Sequence, residues 1–343
     1  MFKNILVNAL VNLGDVILTT SALDLIKKNF PKTKITMLVR PAVKDAVIDN
    51  PVVDDVIIFD YNAKESSFKK MREMITEIRK RKFDCAISFD RKLRPAILNF
   101  VAGIPVRVGP TKIFEDDKSR VTLLYTDVIK MDYDLDTNLQ AENFQEIVRR
   151  FFKIEGHGEP KFPKKNSPVA EKLLSELPNS KYKIALCVKG TFPLKTWSKK
   201  YFAEVVQTLR KKYDATFFIV GAPNDKEYAD EVIQEIGGEV ENFCGKTSLI
   251  DLAEIFRHAD LFLTVDTGAA HIAATTKIKM VTVYGCTSPD RWHPINENAI
   301  VLTSRENCCP CKFGEKDCPS YPEPNCLKNV TPKMVLDAVE KIF

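Results

Sequence analysis

The chain has 343 residues, 45% of them hydrophobic, so it can bury a large core and is long enough for two domains. Its 51 basic and 46 acidic residues leave a net charge of +5, which is too balanced for a general nucleic-acid binder but permits local basic patches. Neither a G-x-G-x-x-G nor a G-x-x-x-x-G-K-[ST] sequence occurs, which argues against a dinucleotide-binding Rossmann enzyme and a P-loop NTPase. Without a signal-peptide pattern or an apolar run of about eighteen residues, we expect a cytoplasmic protein.

Along the first half, apolar runs typical of strands alternate with stretches of helical periodicity. The runs cover residues 4–10, 35–39, 55–59 and 85–89, and the helical stretches cover 15–29, 42–49, 66–82, 94–102 and 138–152. Residues 156–168 interrupt this pattern with two Gly, three Pro and several charges, which indicates a domain boundary.

The alternation then resumes in the second half. Strands are predicted at 183–188, 216–220, 261–265 and 280–284, and helices at 199–212, 226–236, 248–258 and 331–343. Such alternation is typical of βαβ units, so the expected fold is α/β, with two Rossmann-like, doubly wound parallel-sheet domains that face a central cleft. We expect an N-terminal domain over 1–160, a C-terminal domain over 168–330 and a terminal helix over 331–343.

The loop after the strand at 261–265 is a candidate ligand site, because ligands of open parallel sheets bind at this edge. It reads Asp266-Thr267-Gly268 and precedes a helix rich in small residues that carries His271. Asp266 or Thr267 can cap that helix, so that its free N–H groups and positive dipole end face the ligand. We interpret this loop as a site for an anion or a sugar phosphate.

Asp15 lies at the first strand–helix junction, behind Gly14, which allows a tight turn. One interpretation is an acid that caps the helix or lies in its first turn. The other is a general base, held where a substrate hydroxyl can reach it. The residues alone leave both interpretations open.

Three segments together resemble glycosyltransferase family 9, the heptosyltransferases. They are N-L-G-D-V-I-L-T-T-S-A-L near the N-terminus, F-D-C-A-I-S-F-D with the following F-V-A-G-I-P-V-R-V-G, and D-T-G-A-A-H-I-A-A in the second half. The resemblance implies the GT-B architecture, with the nucleotide-sugar donor on the C-terminal domain. It also implies metal-independent, inverting transfer, most often of heptose from ADP-heptose to the lipopolysaccharide inner core, with no cofactor required for catalysis.

The resemblance assigns roles to two further groups of residues. Asp15 matches the catalytic base, which takes the proton from the acceptor hydroxyl. Gly190, Thr191 and Lys195 match the segment that holds the donor phosphates, where Lys195 would stabilise the leaving nucleoside diphosphate. Considered by itself, Lys195 is a surface lysine ahead of a helix.

The resemblance also interprets the loop at 266–268. Asp266 matches a residue that binds hydroxyls of the donor sugar, and the N–H groups of Thr267 and Gly268 match a phosphate site. His271, about one turn into the helix, would point into the cleft, although a lone His on an Ala-rich helix is usually a core residue.

Two more positions concern the nucleoside of the donor. The position that contacts the ribose in relatives holds Pro223 here, so we take the nearby Asp225 as the candidate, with helix capping as the alternative. The segment 287–292 resembles the family's loop near the nucleoside, where Arg291 or Trp292 could touch the base.

The acceptor is expected on the N-terminal domain, where cations would suit a phosphorylated, anionic glycolipid or oligosaccharide. Arg91, Lys92 and Arg94 directly follow the fourth strand, and Arg107 is placed after the fifth. The basic helix predicted at 66–82 could contact an anionic membrane, which would make the protein peripheral at the inner face of the cytoplasmic membrane. A solvated basic face is the alternative.

Five cysteines crowd between Cys308 and Cys326, in a stretch stiffened by prolines. A structural zinc or iron ion could be bound by four of them, Cys308, Cys311, Cys318 and Cys326. The spacing is not that of paired C-x2-C knuckles, and a disulfide is disfavoured in the cytosol. A tie within the loop, without metal, is the alternative.

Two rival functions remain beside the glycosyltransferase. A sugar-nucleotide epimerase of the same fold would react with a nucleotide sugar without an acceptor, and a non-catalytic nucleotide-sugar-binding protein would not react. The intact Asp15, Lys195 and Asp266 argue against the second, because binding alone does not require a base. The expected partners are a nucleotide-sugar donor and an anionic glycan acceptor, and no nucleic acid.

Overall fold

The computed structural model of the chain describes residues 2–60, 67–113, 120–311 and 318–343. The chain divides into two compact units, Met1–Pro163 (unit 1) and Lys164–Phe343 (unit 2). Within the described ranges, no helix combines the length and the hydropathy that crossing a membrane requires.

Unit 1 is built around a parallel sheet of six strands in the order β3-β2-β1-β4-β5-β6. Its elements in chain order are β1 (Asn4–Ala9), α1 (Leu13–Asn29), β2 (Lys34–Val39), β3 (Asp55–Ile58), α2 (Ser67–Lys80), β4 (Cys85–Ser88), α3 (Leu93–Ala102), β5 (Val106–Pro110), β6 (Asp127–Ile129) and α4 (Gln140–Phe152).

Unit 2 contains a second parallel sheet of six strands, in the order β9-β8-β7-β10-β11-β12. Its elements are α5 (Pro168–Ser175), β7 (Tyr182–Cys187), α6 (Lys199–Lys212), β8 (Ala215–Ile219), α7 (Lys226–Ile236), β9 (Glu241–Asn242), α8 (Leu249–His258), β10 (Leu261–Val265), α9 (Gly268–Thr275), β11 (Met280–Val283), α10 (Pro289–Trp292), β12 (Ala299–Leu302), α11 (Asn325–Lys328) and α12 (Pro332–Ile342). The terminal helix α12 packs on α6.

Both sheets are doubly wound, as the alternating sequence pattern predicts. In each, the chain runs outward from a central strand, returns, and continues on the other side, so that β1 and β4 are neighbours in unit 1 and β7 and β10 in unit 2. The carboxyl ends of these two central pairs are the topological switch points, where the diverging loops leave room for a ligand. Residues directly after these four strands are therefore placed for function.

The central strands form the core of each unit. Every residue of β10 is buried, and in β1 all residues after Asn4 are buried. Strands covered by helices on both faces bury side chains in both directions, which is why they appear in the sequence as continuous apolar runs. The helix α1 is buried from Val16 to Ile26, so it too belongs to the core of unit 1.

Most predicted elements are present with ends shifted by one or two residues. The segment predicted as a helix over 42–49 is instead a 3₁₀ helix, Pro41–Ala46. The strands β6 and β9 were not predicted, because three and two residues are too few to show a periodicity. The helix α5 starts inside the predicted boundary segment, where the Ser167 hydroxyl accepts a hydrogen bond from the Ala170 N–H.

Candidate active site

The loop after β7 carries Lys195 and is shaped by Gly190. A Cβ atom on Gly190 would lie 2.4 Å from the Cβ of Lys195 and 2.5 Å from its carbonyl oxygen, so only glycine allows the two parts of the loop to approach this closely. The Gly190 N–H donates to the Thr196 hydroxyl at 3.2 Å, which helps to hold the turn. Thr191 lies exposed at the tip of the same loop.

Lys195 is joined to Asp266, the first residue after the neighbouring strand β10. The Lys195 Nζ lies 2.5 Å from the Asp266 Oδ2, and the Thr287 hydroxyl donates to the same oxygen at 2.5 Å. Asp266 is 5% exposed, so this carboxylate is held in place by its partners rather than by water. The three residues come from loops after three adjacent strands, β7, β10 and β11, and meet at the switch point of unit 2.

The N-terminus of α9 lies directly beside this ion pair. Thr267 is its N-cap, and the Thr267 hydroxyl accepts a hydrogen bond from the Ala269 N–H at 3.0 Å. Gly268 is the first residue of the helix. Helix N-termini attract anions through their dipole and their free N–H groups, so an ammonium group and a helix N-terminus are available here to one ligand.

His271 lies one turn into α9, 6% exposed. Its Nδ1 atom is buried and has no hydrogen-bond partner among the described residues. Burial lowers the pKa of His271 to about 4, although the nearby Asp266 carboxylate raises it. The imidazole is therefore neutral near neutral pH and serves as a polar, uncharged group next to Asp266.

Asp225 has a structural role. Its Oδ2 accepts a hydrogen bond from the Ala222 N–H at 2.9 Å, and its Oδ1 lies 3.3 Å from the Lys189 Nζ. These contacts close the turn that leads into α7. Asp225 occupies the N-cap position of that helix, but its side chain makes no capping hydrogen bond to it. Arg291, considered for the nucleoside base, is buried at 2% exposure, whereas the neighbouring Trp292 is half-buried.

In unit 1, Asp15 lies in the first turn of α1, after β1, and is half-buried. The N-cap position belongs to Asn12, whose side-chain oxygen accepts a hydrogen bond from the Arg40 guanidinium rather than capping the helix. Asp15 is therefore not the N-cap but an acid of the first turn, which the first interpretation also allowed. Its position beyond the carboxyl end of β1 places it at the switch point of unit 1.

A second carboxylate, which sequence reasoning missed, shares this switch point. Asp90 follows β4, the strand beside β1, and is 7% exposed. The pKa of Asp90 is raised to about 6, mainly by burial; Lys92 opposes the rise, and the charge of Asp15 contributes to it. The signal was a polar residue directly after a buried strand, in F-D-C-A-I-S-F-D, but nothing local distinguishes it from a surface acid.

The four predicted acceptor cations are not equivalent. Arg94 is exposed in the first turn of α3, whereas Arg91 is buried at 8% exposure. The Lys92 ammonium donates to the Leu10 carbonyl at 2.7 Å and thereby ties the loop after β4 to the end of β1.

The expected placement of Arg107 is wrong, because this residue lies near the start of β5 and not after it. Its guanidinium donates to the carbonyl oxygens of Leu124 and Ile104, at 2.8 and 2.6 Å. These contacts place Arg107 away from the carboxyl ends of the strands.

The C-terminal cysteines are all free thiols. Burial raises the pKa of Cys309, which is not among the four predicted ligands, and the neighbouring Cys326 and Cys311 add to the rise. Burial raises the pKa of Cys326 to about 11, so its thiol is protonated near neutral pH. Among the residues described by the structure, no group of three or more His, Cys, Asp and Glu side chains is arranged to hold a metal ion.

Comparison with known proteins agrees with this arrangement. The sequence pattern of the family described as Glycosyltransferase family 9 (heptosyltransferase) matches residues 71–321. Lipooligosaccharide heptosyltransferase 2 of Campylobacter jejuni subsp. jejuni serotype O:6 is 25% identical over 340 residues, covering 96% of each chain.

Two solved structures show the same fold. A glycosyl transferase family 9 protein from Veillonella parvula has a TM-score of 0.85 at 22% identity, covering 99% of this chain and 97% of its own. The E. coli heptosyltransferase WaaC with ADP-2-deoxy-2-fluoro heptose has a TM-score of 0.71 at 19% identity, covering 98% and 99%. The fold is GT-B, and because the family pattern extends over most of the sequence, the chain belongs to glycosyltransferase family 9, the heptosyltransferases.

Proposed function

We propose that this glycosyltransferase moves heptose from ADP-heptose to a hydroxyl of the lipopolysaccharide inner core or a related glycan, with inversion at the anomeric carbon. The observation that carries the proposal is the Lys195–Asp266 ion pair beside the N-terminus of α9, at the switch point of unit 2. An ammonium group and helix N–H groups together suit a diphosphate. The heptose and ADP assignments are supported by the family description and by the WaaC complex, whose ligand is an ADP-heptose analogue.

In this mechanism, Asp15 takes the proton from the acceptor hydroxyl as that oxygen attacks the anomeric carbon. The bond from the anomeric carbon to the diphosphate breaks on the opposite face, and the negative charge that develops there is stabilised by Lys195 and the N–H groups at the start of α9. Asp266, itself oriented by the Thr287 hydroxyl, holds the Lys195 ammonium before the donor arrives, which reduces the reorganisation that the reaction requires. Arg94 is the exposed cation of unit 1 that we assign to the anionic acceptor.

Donor identity is tested by thermal shift of the full chain with ADP, UDP and GDP, followed by the matching nucleotide sugars. Stabilisation by ADP and ADP-heptose is expected, and preference for UDP or GDP would overturn the ADP assignment. Transfer and donor hydrolysis, each measured with and without acceptor, separate the rivals. An epimerase would alter the donor without acceptor, and a binding protein would leave it intact under all conditions.

The base is tested by Asp15→Ala, which is expected to lower turnover by ~10²–10⁴-fold because general-base catalysis is lost. ADP affinity, measured by calorimetry, should stay at the wild-type value, since the proposed donor residues are in unit 2. Normal turnover of the variant would remove Asp15 from the mechanism.

The donor site is tested by Lys195→Ala, with Lys199→Ala as the matched control on the exposed start of α6. The first variant should weaken ADP binding by about tenfold or more, because it removes a charge-assisted contact worth ~1.5–3 kcal/mol. The second should bind ADP normally, since Lys199 contacts only the surface residue Glu231 in the described part of the chain. Equal affinities of the two variants would contradict the assignment.

We also propose that α2 contacts an anionic membrane at the cytoplasmic face. Phe68 is 87% exposed, and the exposed Lys69 and Arg72 lie on the same helix, whereas Met74 anchors its other side in the core. Phe68→Ser is expected to weaken co-sedimentation with vesicles that contain phosphatidylglycerol, and Val169→Ser in unit 2 serves as control. If the wild type bound neutral and anionic vesicles equally, Lys69 and Arg72 would have no role in membrane binding.

The structural zinc or iron ion stays a prediction from the cysteine spacing, with Cys308, Cys311, Cys318 and Cys326 as ligands. The described thiols do not form a ligand set, and the mechanism involves no metal. Elemental analysis of the purified protein decides the matter. About one metal ion per chain would support the prediction, and a metal-free sample with free thiols would exclude it.

A further inference from the structure

Asp90 occupies the position in unit 1 that Asp266 occupies in unit 2. Each residue follows the fourth strand of its doubly wound sheet, and each adjoins the loop after the first strand. In unit 2 that loop contributes an ammonium group, and the pair of Lys195 and Asp266 is an ion pair. In unit 1 the connection after the first strand leads to Asp15, in the first turn of α1, so the same topology places two carboxylates at the switch point.

The carboxylate of Asp90 is unusually placed for an acid. Its Oδ2 atom is buried without a hydrogen-bond partner among the described residues, and its Oδ1 accepts a long hydrogen bond from the Lys92 N–H at 3.3 Å. The Tyr125 hydroxyl donates to the Asp90 backbone carbonyl and not to Oδ2. A buried, poorly satisfied carboxylate costs stability, and groups that cost stability are often retained for function.

The charges that act on Asp90 come from two elements. Lys92, in its own loop, lowers the pKa of Asp90, but the Lys92 ammonium is directed to the Leu10 carbonyl and forms no ion pair with Asp90 among the described contacts. Asp15, on α1, contributes a smaller rise in the pKa of Asp90, in agreement with the positions of the two residues beyond the adjacent strands β1 and β4. With burial, these effects place the pKa of Asp90 at about 6.

We propose that Asp90 is a positioning residue whose negative charge makes Asp15 a stronger proton acceptor. The proposal rests on the role of Asp15 as the base in the proposed function. When the acceptor O–H bond breaks, its proton goes to the Asp15 carboxylate and the pair changes from two negative charges to one. Relief of the repulsion between the carboxylates favours this proton uptake.

The test compares the pH dependence of kcat/KM in the wild type, Asp90→Asn and Asp90→Glu. Removal of the charge in Asp90→Asn should move the acidic limb of the profile to lower pH by about one unit. It should also lower the plateau, by at most about tenfold, because a weaker base accepts the proton less readily. The donor KM should not change, and Asp90→Glu, which keeps the charge, should restore the wild-type limb.

The control is Asp127→Asn, which removes an exposed carboxylate at the start of β6, an edge strand of the same sheet. Its profile should match that of the wild type. An unshifted acidic limb in Asp90→Asn, with Asp15→Asn inactive, would overturn this inference and leave the proposed function standing. An active Asp15→Asn would instead refute the proposed base, and the inference with it. Loss of the folded state in both Asp90 variants would assign Asp90 to folding and overturn the proposal.

Discussion

The residues of the donor site differ in how their charges are compensated. Asp266 is buried and bonded to both Lys195 and Thr287, so its charge is neutralised within the protein before any ligand binds. His271 is buried beside it without such compensation, and remains neutral instead. A neutral imidazole can donate a hydrogen bond to the ligand or accept one from it, but it adds no positive charge that would attract a diphosphate.

His271 should make the stability of the protein depend on pH. Because its pKa falls from 6.5 to about 4 on folding, its favourable contribution is present above about pH 6.5 and is lost as pH falls towards 4. Between pH 7 and pH 5 the wild type should lose about 2 kcal/mol of unfolding free energy through this group, and His271→Asn should not. Urea unfolding at the two pH values measures the difference.

The control for this measurement is His258→Asn, because the His258 side chain is exposed at the end of α8 and pairs with Glu254. Between pH 7 and pH 5 this variant should lose as much unfolding free energy as the wild type, because His271 is still present. If His271→Asn loses as much stability as the wild type between pH 7 and pH 5, the imidazole is not buried in its neutral form.

At the scale of elements, the loops after strands carry the site, and their geometry depends on close backbone approach. Gly190→Ala is expected to displace Lys195, because the new Cβ would lie 2.4 Å from the Lys195 Cβ. We expect ADP affinity to fall by about tenfold or more, together with a loss of stability of about 1–3 kcal/mol from overpacking. Calorimetry and thermal denaturation measure the two effects.

Gly103→Ala provides a comparison with a different physical cause. Gly103 ends α3 with a φ of +78°, and a Cβ there would meet nothing within 4 Å. The variant should lose about 1–2 kcal/mol of unfolding free energy, because alanine is strained in the left-handed conformation. Its ADP affinity should be unchanged. An equal loss of ADP affinity in both glycine variants would show that the effect of Gly190→Ala is general destabilisation.

At the scale of the whole molecule, each unit has its own sheet and its own buried core. We therefore expect a fragment of residues 164–343 to fold alone and to bind ADP, because Lys195, Asp266 and α9 all belong to unit 2. The fragment should not transfer sugar, since Asp15 belongs to unit 1. Circular dichroism and calorimetry of the fragment test the expectation.

The complementary fragment, residues 1–163, should fold without binding ADP. Binding of ADP to this fragment, or a folded 164–343 fragment that fails to bind it, would contradict the assignment of the donor to unit 2.

The sequence alone was sufficient to predict features that depend on residues close together along the chain. Strand–helix alternation reports local periodicity, and it predicted both doubly wound sheets. The motifs around Asp15 and Asp266 are continuous in the chain, so they indicated the family without knowledge of the fold. Short edge strands such as β9 were not predicted, because their form depends on pairing with a neighbour and not on their own residues.

The tertiary structure decided which distant residues meet. The contact between Lys195 and Asp266 depends on β7 and β10 being neighbours, and the burial of Asp90 beside Asp15 depends on β4 lying next to β1. The placement of Arg107 near the start of β5 likewise depends on where the strand begins in the sheet. Strand order is set by packing of the whole unit, so no local pattern in the sequence contains it.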